Sequence, residues 1–253
     1  MPTIRPPEVW RPLVQALQAE LRPGDELRTI FEPGGYWNVI NDNLPPNPRQ
    51  AFLLFQDDTQ IQSGFLEIAR KSWAYYYPDG VGLVALSDGV VDHGGACYAM
   101  TSKIWLYVLF GRPRFPPFWH HFLDTLLADR SKDLGRYLFV REAVCKHLHH
   151  SQGLSQWDGV YAATFGYGYD DFGMKNEMDQ HWYHDGDREC AMQRMVKVSR
   201  ETKAIRIPPP SEPRPPKPNV KNWNDGIGQW LGTHPPYRQS VDQAKQSGRR
   251  RRG

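Results

Sequence analysis

Cysteine is scarce in this chain. Only Cys97, Cys145 and Cys190 occur among 253 residues, with no CxxC pair, which excludes a disulfide framework and points to a reducing compartment. Long hydrophobic runs are lacking as well: no stretch approaches the roughly 20 apolar residues of a membrane span. The start, Met1-Pro2-Thr3-Ile4-Arg5-Pro6-Pro7, has no charged-then-apolar layout of a secretory signal. The expected setting is the inside of a cell, with no membrane partner. A Walker loop, a Gly-x-Gly-x-x-Gly turn and a His-Glu-x-x-His helix are all missing, which removes the commonest nucleotide and zinc-protease signatures. Internal repeats and heptads are missing too, so neither a solenoid nor a coiled coil is expected.

What is present is a folded protein with a polar fringe. Hydrophobic residues make up 40%, enough for a substantial core, while a mean hydropathy of -0.65 with nine Trp means that amphipathic rings carry much of that content. The net charge of +3 hides an asymmetry. Residues 203–253 hold 11 Lys or Arg against 3 acids, a net of +8, which leaves 20 basic and 25 acidic residues, a net of -5, in the remainder. An acidic body carrying a basic tail is a pattern of interaction tails that meet nucleic acid or import receptors.

The most apolar run lies in the middle, from Gly94-Gly95-Ala96-Cys97-Tyr98 to Gly111. Apolar residues at 97, 100, 101, 104, 105 and 108 predict a core helix with Cys97 in its first turn. Before it, a helix is expected from Pro12 through Leu13, Leu17 and Leu21, then a hairpin of Glu26–Glu32 with Tyr36–Ile40. A strand over Ala51–Phe55 and a helix capped by Asp58 or Thr59 follow. A second hairpin pairs Val81–Leu86 with Val90-Val91 across Ser87-Asp88-Gly89. After it, helices are expected from Pro116-Pro117 onward and from Ser131 to His150, so that three consecutive helices pack the middle. A strand over Val160–Phe165, an aromatic turn at Gly166–Tyr169, a helix over Arg188–Thr202 and a strand over Ala204–Ile207 close the body. The expected class is α+β: short hairpins and strands around a block of consecutive helices over residues 1–207. Residues 208–218 contain seven prolines, so 208–253 reads as a Pro-rich, basic, disordered tail, with an apolar patch at Trp223 and Trp230-Leu231.

Three groups of residues could carry chemistry. Gly95-Ala96-Cys97-Tyr98 resembles the motif around the nucleophile of papain-like cysteine proteases, with His149 and His150 as candidates for the base. At a helix N-terminus the thiol pKa would fall; the competing reading is a small core side chain. Cys145, His149, His184 and Cys190 are zinc-ligand types, with Cys145 and His149 four apart on the expected helix. Zinc is thus the one cofactor considered, and no cofactor is the main expectation. Arg249-Arg250-Arg251-Arg252 is a basic run suited to phosphates or to the nuclear import machinery. Tyr167 and Tyr169, with Trp182, offer rings on which bases could stack. The Pro-rich segment is a candidate contact for host proteins.

Phe118-Trp119-His120-His121, Cys145 and Trp157-Asp158-Gly159-Val160-Tyr161 resemble short islands of the small accessory nonstructural (NP) proteins of parvoviruses. That resemblance implies a nuclear viral protein that assists RNA processing and replication without being an enzyme. The expected function is therefore a non-enzymatic nuclear accessory protein that associates with nucleic acid or its processing machinery. The alternative is a papain-like cysteine protease acting through Cys97.

Overall fold

The computed structural model describes residues 7–30, 36–89, 96–118, 122–148 and 168–200. Among them are α1 (Pro7–Glu20), α2 (Tyr36–Asp42), β1 (Ala51–Leu53), β2 (Thr59–Ile61), α3 (Phe65–Tyr76), β3 (Leu83–Ser87), β4 (Ala99–Ser102), α4 (Lys103–Phe110), α5 (Leu123–Asp133), β5 (Tyr137–His147), α6 (Gly168–His184) and α7 (Asp187–Arg200). The strands form one mixed sheet in the order β1-β4-β3-β5-β2. Only β3 and β5 run parallel, Leu83 opposite Tyr137 through Leu86 opposite Val140; the other pairs are antiparallel. The class is α+β, as the order of elements implies. No helix among the described residues is long and apolar enough to cross a membrane.

Helices cover both faces of the sheet, so its central strands are apolar on both sides. All five residues of β3 are buried: Val84 and Leu86 face α1 and α3, while Leu83 and Ala85 face the core shared by α4 and α5. In β5, Leu138 and Val140 meet the first core, yet further along it is Ala143 and Cys145 that do so. The change of parity comes from a register shift. Leu86 pairs with Val140 but Ser87 with Val144, and an odd number of extra residues on one strand exchanges its two faces.

The turn from Tyr77 to Gly82 ties the layers together. Asp79 is buried, and both of its carboxylate oxygens accept from Arg136 Nη2 at 2.7 Å, a forked pair that is itself buried. Arg136 Nε donates to the Val81 carbonyl at 2.6 Å, and the Val81 amide donates to Asp79 Oδ1 at 3.1 Å. The guanidinium lies 4.9 Å from the centre of the buried Tyr77 ring. Arg49 holds the Asp79 carbonyl at 2.7 Å, and the Ser102 and Thr101 hydroxyls bond the carbonyls of Gly80 and Gly82. Gly82 is required because a Cβ there would sit 2.4 Å from the Tyr77 ring.

On the other side, Arg130 of α5 fastens α6. It is 2% exposed, lies 4.4 Å from the Trp182 ring and donates to the Met178 carbonyl at 2.7 Å. Burial lowers its pKa to about 10. Trp182 Nε1 and Arg188 Nε both donate to Asp133 Oδ2, which adds α7 to the same anchor.

Several expectations are corrected here. The apolar run after Gly95 is not one helix. Ala99–Ser102 is a strand between β1 and β3, and α4 begins at Lys103, because the Ser102 hydroxyl caps it by accepting from the Trp105 amide at 3.2 Å. Residues 137–147, expected as the second half of a helix, form β5: Gly135 at φ +65° stops α5, and Tyr137, Phe139 and Val140 suit a strand. The third of the three consecutive helices expected in the middle of the chain is therefore replaced by a strand. Tyr36–Asp42 is a helix rather than a hairpin arm, since Trp37 and Ile40, three apart, reach the same core. α3 starts at Phe65, later than Asp58 or Thr59 would place it, because the Glu20 carboxylate accepts from the Gly64 and Leu66 amides, each at 2.7 Å. The partner of β3 across the 87–89 turn is β4. The strands expected at 160–165 and 204–207, the Val90-Val91 arm and the tail 208–253 lie outside the described residues.

The forked pair sets a prediction. Asp79→Ala leaves the Arg136 charge buried without its partner and is expected to cost about 3–5 kcal/mol in urea unfolding. A loss below 1 kcal/mol would show that the turn holds without the pair.

Candidate functional site

Polar groups converge where β3, β4 and β5 meet the loops at the carboxyl end of the parallel pair, the position at which open sheets collect ligands. Beyond Ser87 the chain turns at Asp88 and Gly89. Gly89, at φ +73°, donates to the Ser87 hydroxyl at 3.1 Å, and the Asp88 carbonyl accepts from the His147 amide at 3.3 Å. His147 closes β5 with Nε2 3.4 Å from Asp58 Oδ1, and the Leu148 amide donates to the Asp58 carbonyl at 2.8 Å. The imidazole meets the buried Tyr98 ring edge-on, centroids 6.1 Å apart. Thr59, beside Asp58, turns its hydroxyl to the Gln56 carbonyl at 2.9 Å.

Cys97 lies just before β4, in no helix, so the dipole that would acidify it is not supplied. It is half-buried, and its thiol donates to Asp124 Oδ2 of α5 at 3.2 Å. Desolvation, the Asp124 charge and the hydrogen bond to that carboxylate together push the thiol well above its ordinary pKa. A nucleophile needs the thiolate, and a neighbouring carboxylate opposes it. His149 and His150 lie outside the described residues.

The zinc candidates are not assembled by the helix on which their spacing was read. Cys145 is fully buried on β5, opposite Ile61, and burial is the main cause that raises its pKa. Cys190 is exposed on α7 and His184 exposed at the end of α6. His149 is again outside the described residues, and among those described no three His, Cys, Asp or Glu side chains are grouped to hold a metal. Tyr169 belongs to the first turn of α6, not to a loop, while Tyr167 lies outside the described residues. Trp182, 1% exposed and packed on Arg130, has no face to offer a base. Arg249–Arg252 also lie outside.

The Cys97–Asp124 and His147–Asp58 pairs were not foreseen. The first joins residues 27 apart in sequence across the sheet, and the second needs Asp58 to precede a strand rather than to cap a helix.

Alkylation by iodoacetamide at pH 7.5 is expected to rank Cys190 first, Cys97 second and Cys145 last. Asp124→Asn removes the charge facing the thiol, lowers its pKa and is expected to raise the Cys97 rate several-fold relative to Cys190. A Cys97 that reacts faster than Cys190 in the unmodified chain would contradict the thiol assignment.

Of the parvovirus-like islands, Phe118 and Cys145 are buried core residues; residues 119–121 and 157–161 lie outside the described residues. No family model matches this chain, and no curated protein or solved structure matches it either.

Proposed function

We propose that this chain is a non-enzymatic accessory protein, nuclear and viral in setting, that associates with nucleic acid through its basic tail. The observation that carries the reading is the separation of charge: +8 over residues 203–253, ending in four contiguous arginines, against -5 in the remainder. A polyanion is drawn to the tail and repelled on average by the body. The Cys97 environment supports the non-enzymatic side of the reading, because a thiol bonded to a carboxylate is poorly placed to attack a carbonyl. The same arginines suit an import receptor, and the parvovirus-like islands agree with that setting.

Binding of a single-stranded oligonucleotide, measured against salt, tests the proposal. Each neutralised phosphate contributes about 0.7 to the slope of log affinity against log salt, so four arginines acting together account for a slope near -3. Replacing Arg249–Arg252 with alanine is expected to flatten the slope by about that amount and to weaken all sequences alike, since phosphate contacts read no bases. A slope that survives the substitution, or no binding at low salt by the unmodified chain, would overturn the reading.

A further inference from the structure

Away from the polar cluster, a groove of about 780 Å³ runs between the extended stretch after α1, the edge strand β1 and α3. Leu27, Leu44, Phe52, Leu53 and Trp73 give it an apolar lining, and its size falls within the range of pockets that hold a ligand. Its rim is charged: Arg22, Arg28, Arg70 and Lys71 stand there with only Asp25 and Glu26. Arg70 bonds Asp25 at 2.9 Å, Arg28 bonds Glu26 at 2.7 Å, and Arg22 and Lys71 both pair with Glu67, so four cations meet three carboxylates and the rim keeps one positive charge in excess. A fitting occupant is apolar and carries negative rather than positive charge.

The chain contains such a segment. Trp223, Ile227, Trp230 and Leu231 recur at i, i+4, i+7 and i+8, the spacing by which a short amphipathic segment presents one apolar side to a groove. From Asn222 to Tyr237 the sole formal charge is Asp225. The Pro-rich stretch before it fits poorly, because Arg214 and Lys217 would meet the rim cations. Reach is no obstacle. The 22 residues of 201–222 follow α7 and include the proline-rich stretch; at about 3.1 Å each they span roughly 70 Å, more than the width of a body whose radius of gyration is about 16 Å. A tethered segment meets its groove at an effective concentration in the millimolar range, so even weak contacts are occupied.

We infer that the groove beside β1 is the docking site of this chain's own segment Trp223–Leu231, with Asp225 against the cationic rim. Docking would leave Arg249–Arg252 beyond the attached segment and available to phosphates. It thus gives the tail two parts, one fixed to the body and one reaching out.

Amide hydrogen exchange on the full chain tests this without any nucleic acid, so its failure is separate from that of the proposed function. Trp223→Ala with Trp230→Ala is expected to speed exchange over residues 22–30 and 51–54 by roughly tenfold, leaving β3 and β5 unchanged. Asp225→Lys, which sets a cation against the rim, is expected to give a smaller rise in the same two stretches. Both changes lie outside the described fold, so the body stays intact in each variant. Unaltered exchange in the double variant would overturn the assignment and leave the groove to another protein. Protection that grows with protein concentration would overturn it in favour of a second copy.

Discussion

The fold hangs on a buried ion pair between the turn that leads into β3 and Arg136, in the short link from α5 to β5. Arg136 and Asp79 are both almost inaccessible, and neither charge would be tolerable there alone. Each is surrounded by further bonds: the Val81 amide and carbonyl, the Arg49 guanidinium on the Asp79 carbonyl, and the Tyr77 ring under the Arg136 plane. The result fixes the relative register of β3 and β5, the one parallel pair, because the Leu83 amide bonds the Arg136 carbonyl at 2.9 Å directly beside the fork. A parallel pair has no tight turn to set its register, so a specific polar lock at its start does that work. Helix placement follows from it. α5 ends at Asp133, three residues before Arg136, and on that helix Arg130 holds α6 while Asp133 holds both α6 and α7.

The class was legible because it depends on the order and content of segments; β1 and the helix near 188–200 appear where apolar spacing puts them, while α1 and α3 are present but start at Pro7 and Phe65 instead of at Pro12 and after Asp58 or Thr59. The two long misreadings share one cause. In residues 97–110 and 131–147 a strand adjoins a helix, buried throughout in β4 and largely buried over Tyr137–Val140 in β5, and periodicity alone does not separate a buried strand from a buried helix. Local chemistry marks each junction: Ser102 three residues before Trp105, and Gly135 after Leu134. The lock itself left little trace. Asp79 sits in Pro78-Asp79-Gly80, which reads as an ordinary turn, and Arg136 lies 57 positions away. The candidate site was legible only at Cys97, and for the wrong reason, since its acidity was argued from a helix that does not begin there.

The two pairs near the carboxyl end of β3 and β5 show how partner choice decides chemistry. A thiol beside an imidazolium becomes a nucleophile; beside the Asp124 carboxylate it becomes a hydrogen-bond donor. His147 lies with Nε2 3.4 Å from Asp58 and meets the Tyr98 ring edge-on. The described bonds of the polar cluster tie together the loops at this end of the sheet.

The proposed division of labour between an acidic body and a basic tail is tested most directly by mapping where nucleic acid touches the intact chain. Ultraviolet cross-linking of a single-stranded oligonucleotide at low salt, followed by peptide identification, is predicted to place the adducts within residues 203–253 and to leave β3, β4 and β5 unmodified. Adducts concentrated on the body would contradict the account.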